Sequence, residues 1–107
     1  MDIDNNNISL ETDNLIPRLV DEFGYSEKSA NRVIKNLKNC SERIKLDFLR
    51  WWNTGVLPDL EIEQYNVSRL KKEFGMNPIA ALLTLDWLLK EPEEARASLK
   101  RGYDKII

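Results

Sequence analysis

The segment Arg18–Ala30, RLVDEFGYSEKSA, returns fifty-one residues later as Arg69–Ala81, RLKKEFGMNPIAA, with six of the thirteen positions identical. Each copy runs from apolar residues at helical spacing into a glycine, then a small polar residue, then an alanine. Glycine closes helices in the left-handed conformation, and Ser or Asn caps the helix that follows. Both copies therefore read as a corner between two helices. The same offset pairs Ile34 with Leu85 and Leu37 with Leu88. It also pairs Ile44, Phe48 and Trp52 with Ala95, Leu99 and Tyr103. The expected fold is all-α: six short helices as two fused, sequence-related three-helix units forming one compact domain. Units of about 40 residues bury too little alone, which favours stacking them. The expected organisation is a flexible arm over 1–11, a first unit over 12–55, a packed connector over 56–65, a second unit over 66–104 and a tail over 105–107.

In the first unit the spacing predicts a helix starting near Asn14, with Pro17 in its first turn and Gly24 as its C-cap. Ser26 caps the second helix. Ala30, Val33, Ile34 and Leu37 form its apolar face, and Lys28, Arg32, Lys35 and Lys38 lie opposite. Ser41 caps the third, where Ile44, Phe48, Trp51 and Trp52 share one face and Leu46 and Leu49 point away. A helix apolar on two sides is usually covered on two sides. It ends at Thr54-Gly55. The connector GVLPDLEIEQY turns at Pro58-Asp59 and alternates Leu60 and Ile62 with Glu61 and Glu63, which reads as an extended segment with two side chains tucked in.

The plan repeats with Asn66 as cap, Gly75 as stop, Asn77 as the next cap and Pro78 at the first helical position. The helix IAALLTLDWLLKE is apolar nearly all round, with Trp87 assigned to the core and Asp86 and Lys90, four apart, as one polar strip that can pair. Pro92 opens the last helix, with Ala95 and Leu99 inward and Gly102 at its end.

Residue types that are missing exclude much chemistry. The chain has no histidine and one cysteine, Cys40. That removes the commonest general base, the usual partner of a nucleophile and the usual zinc ligand. No metal site, cofactor or catalytic residue is expected, and the chain reads as non-enzymatic. An internal disulfide is ruled out, and a lone cysteine fits a reducing compartment, with the cytoplasm as default. No apolar run approaches the roughly 18 residues of a membrane span, and MDIDNNNISLE has no secretory-signal pattern. The net charge of −2 gives no global argument for nucleic acid or an acidic membrane.

The stretch FGYSEKSANRVIKNLKNCSERIKLDFL, Phe23–Leu49, resembles a ubiquitin-associated (UBA-like) domain. The resemblance rests on Gly24-Tyr25, the small cap Ser26, Ala30, the apolar step Val33-Ile34, Asn39 and the late pair Phe48-Leu49. A looser second copy has Gly75-Met76, Asn77, Ala81, Leu85 and Leu99. The resemblance implies a three-helix protein-binding module, with partner contacts on Phe23, Gly24, Tyr25, Phe48, Leu49 and Trp52.

The leading functional expectation is a protein-binding module or small regulator acting through an exposed apolar and aromatic surface. The cluster Phe23, Tyr25, Phe48, Leu49, Trp51 and Trp52 holds too many large side chains for one face of so small a unit. Tyr25 and Trp52 are expected outside, and Trp51 in the core. The runner-up is a helix-turn-helix nucleic-acid binder using Lys28, Arg32, Lys35 and Lys38. Eight basic against six acidic residues over 12–56 leave a weak field for that role. A third reading is a phage- or plasmid-type inhibitor of a host enzyme.

Overall fold

Six α-helices follow in order: α1 (Thr12–Asp21), α2 (Glu27–Lys38), α3 (Glu42–Thr54), α4 (Val67–Phe74), α5 (Pro78–Lys90) and α6 (Pro92–Ile106). The structure, a computed structural model, describes residues 12–106, with side chains over 15–101. The arm expected over 1–11 lies outside the described residues. Among the described residues there is no strand, only a β-bridge between Ile62 and Tyr65, so the fold class is all-α.

The two corners share several capping features, although α1 ends at Asp21, three residues before its glycine, and α4 runs to Phe74, directly before Gly75. Gly24 and Gly75 are left-handed, at φ +74° and +69°. The amide of the next residue reaches back six positions in both: Tyr25 N–H donates to Leu19 O at 3.1 Å, and Met76 N–H to Leu70 O at 3.5 Å. Ser26 Oγ accepts from Ser29 N–H at 3.1 Å, and Asn77 Oδ1 from Ala80 N–H at 2.8 Å. One turn before each glycine the same ion pair recurs, Arg18–Glu22 at 3.1 Å and Arg69–Glu73 at 2.8 Å. The offset also pairs buried positions: Leu19 with Leu70, Ala30 with Ala81, Ile34 with Leu85, Leu37 with Leu88, Ile44 with Ala95, Phe48 with Leu99.

The chain divides inside α3 into two compact units, Met1–Lys45 and Leu46–Ile107. In the first, α1 and α2 pack closely and bury Leu15, Leu19, Ala30, Val33, Ile34 and Leu37. In the second, α4, α5 and α6 pair closely, and α5 buries Ile79, Ala81, Leu82, Leu85 and Leu88. The connector belongs to this second unit, and side chains fasten it there. Arg96 of α6 donates to Glu63, and Arg69 Nη1 of α4 donates to Gln64 O at 2.8 Å.

Four local expectations are corrected. The connector is not merely extended: Ile62 and Tyr65 exchange two backbone hydrogen bonds, of 2.8 and 2.9 Å, around Glu63 and Gln64 at φ +53° and +71°. Helix α1 begins at Thr12, so Pro17 sits at its sixth residue rather than its first turn. There it costs the bond its N–H would have made. Helix α6 runs through Gly102 to Ile106. A glycine inside a helix weakens it by about 1 kcal/mol but does not stop it. Helix α3 is not covered on two sides, because Leu46 is 53% exposed.

Candidate functional site

Helix α2 forms because its apolar residues recur on one stripe and Ser26 satisfies a first-turn amide. Packing of Ala30, Val33, Ile34 and Leu37 fixes the helix's rotation and leaves the opposite face outward. On that face Lys28, Arg32, Lys35 and Lys38 are all exposed, as are Asn31, Asn36 and Asn39. The only acid on α2 is Glu27, in its first turn, where the helix dipole favours it. None of the four cations makes an ion pair among the described residues.

Two acids elsewhere in this unit pair with other cations, Glu22 with Arg18 and Glu42 with Lys45 at 3.6 Å. On α2 itself four exposed cations stand against one acid, so positive charge is concentrated along this helix. At physiological ionic strength its field reaches about 8 Å, so the stripe acts on what touches it.

The residues implied by the UBA-like resemblance separate into two groups. Gly24 is exposed, and Phe23, Tyr25 and Leu49 are half-buried. Phe48 is fully buried and Trp52 is 9% exposed, so neither presents a contact surface. The expected roles of the two adjacent tryptophans are reversed. Trp52 lies one turn from Phe48 and stacks on it, with centroids 5.4 Å apart and planes 28° apart. Trp51, about 100° round the helix, keeps part of its indole open. Trp87 is also half-buried rather than core, and its indole N–H donates to Glu91 Oε1 at 3.0 Å.

Sequence reasoning missed two buried acids, Asp47 and Asp86. Asp86 does pair with Lys90, at 2.8 Å, but its carboxylate is inside and only the ammonium reaches solvent. Spacing gives the pairing and not the depth. Cys40 is buried, its thiol donating to Asn36 O at 3.3 Å. Among the described residues no three His, Cys, Asp or Glu side chains converge as metal ligands, and no helix is long and apolar enough to cross a membrane. No family model, curated protein or solved structure matches the chain.

Proposed function

We propose that this chain is a non-enzymatic protein-binding module that docks through the outer face of α2 on an acidic surface of its partner. The observation that carries the reading is the row Lys28, Arg32, Lys35 and Lys38, exposed along one helix and unpaired among the described residues. Four fixed like charges repel one another unless something neutralises them, and an acidic partner does so while gaining steered association. Half-buried Phe23 and Tyr25, at the corner just before α2, supply apolar area beside the charges. A UBA-like module and a regulator of a host enzyme both fit this reading.

A second reading has one observation in its favour. Asn31, Asn36 and Asn39 interleave with the cations on the exposed side, and Asn is a side chain that reads base edges in a major groove. Four phosphate contacts would give a log–log salt slope of only about −3 to −4, shallow for a duplex binder. The protein reading is therefore preferred.

One experiment separates them. Wild type and a Lys28→Glu/Arg32→Glu/Lys35→Glu variant serve as baits in a native-host extract, with and without nuclease. The protein reading expects a partner held by wild type, lost by the variant and indifferent to nuclease. Loss on nuclease treatment would move the conclusion to nucleic acid. Equal capture by both baits would remove α2 from the binding surface.

A further inference from the structure

Between α4 and α6, wholly inside the second unit, lies a cleft of about 610 Å³. That is the size of small-molecule sites. Its apolar wall is Tyr65 and Phe74, with ring centroids 6.4 Å apart and planes tilted by 51°. The guanidinium of Arg69 lies 4.4 Å from the Tyr65 centroid.

Nearly every charge lining the cleft is already answered from within. Arg69 Nε is bound by Glu73 at 2.8 Å, and its Nη1 by the Gln64 carbonyl at 2.8 Å. Arg96 is held by Glu63. Glu63 and Gln64 are both in left-handed backbone, a conformation uncommon for either residue type, and they aim these two groups at α6 and α4. The walls are thus fixed before any ligand arrives. Among the described residues two lining charges remain unanswered, Glu93 and Lys100. They lie seven residues apart on α6, about 10 Å along the helix axis. The cleft therefore offers a lone carboxylate toward one end, a lone ammonium toward the other and aromatic surface within it.

We propose that this cleft binds a short zwitterionic peptide with an apolar middle, its amino terminus against Glu93 and its carboxylate against Lys100. An extended tripeptide spans about 10 Å, which matches the separation of the two charges. A purely anionic ligand would meet Glu93 uncompensated, and a purely cationic one would meet Lys100. A zwitterion satisfies both and leaves the internal pairs intact. The site is separate from the α2 face and does not depend on it.

The probe is the tripeptide Ala-Phe-Ala, titrated into the whole chain and followed by amide chemical shifts. Wild type should show saturable shifts confined to α4, α6 and residues 62–65. N-acetylation of the peptide should weaken binding about fivefold, and C-terminal amidation by a similar factor, the scale of a partly exposed ion pair. The decisive arms are crossed. In Glu93→Gln acetylation should make no further difference while amidation still does, and in Lys100→Gln the reverse. Both positions are exposed, so both variants keep the fold. No saturable shift up to about 10 mM peptide, shifts outside the cleft, or capped peptides binding wild type as well as the free one would each overturn the proposal. Acetyl-Ala-Phe-Ala-amide binding best would point instead to an internal segment of a longer chain and would equally refute the zwitterion assignment.

Discussion

At the residue scale, positive φ separates what the sequence could announce from what it could not. Gly24 and Gly75 are legible because glycine followed by a polar cap is the ordinary vocabulary of a helix corner. Glu63 and Gln64 are not, because neither side chain favours the conformation each adopts. Both kinds of position are testable. A Cβ at Gly75 would meet nothing within 4 Å, so Gly75→Ala isolates backbone strain from clash. It should cost about 1 kcal/mol in a urea melt, and Gly75→Asn should cost less because Asn tolerates the left-handed region. Equal melts for all three proteins would show that the left-handed geometry contributes nothing. Gln64→Gly is the mirror experiment. It keeps the carbonyl that holds Arg69, removes one penalised φ, and should raise stability by about 0.5–1 kcal/mol. A lower midpoint would mean that the Gln64 side chain contributes more than its backbone conformation costs.

At the element scale, periodicity specified faces well and depth poorly. The inward stripe of α2, the caps of α2, α4 and α5 and the basic outer face were all readable from spacing. Helix α3 was not, because Trp51 and Trp52 are adjacent and apolar, and no single-helix pattern says which indole a neighbour covers. Leu46 shows the same limit, since an apolar residue off the main stripe can lie under a neighbour or face solvent. Trp52→Ala should therefore cost about 3–5 kcal/mol, through lost burial and the lost stack on Phe48, while Trp51→Ala should cost clearly less. The ranking of the two midpoints in a denaturant series decides it. Trp51→Ala as the more damaging change would show that the exposures of the two rings are reversed in solution.

At the scale of the whole molecule, similar corners serve dissimilar ends. In the first unit the corner presents α2, half apolar and half charged, with one face left to solvent. In the second it introduces α5, whose end alone, Leu89 and Lys90, is exposed while most of its length is covered. A repeat at one offset was visible in the sequence, but the division inside α3 was not, because α3 reads as one uninterrupted helix. Leu46 stands at that division, exposed and on the fifth residue of α3. Leu46→Ala should leave stability within about 0.5 kcal/mol, since little is buried there. Leu46→Pro removes an interior helix bond and crowds the carbonyl four residues back, at a cost of about 3 kcal/mol or more. All three tryptophans lie in Leu46–Ile107, so indole fluorescence reports the second unit, while amide resonances of α2 report the first. In wild type and Leu46→Ala the two probes should share one urea midpoint, because α3 belongs to both units. In Leu46→Pro the midpoints should separate, with the first unit, which keeps only α1, α2 and the start of α3, melting earlier. A common midpoint that simply moves to lower urea would show that the two units unfold together without an intact α3.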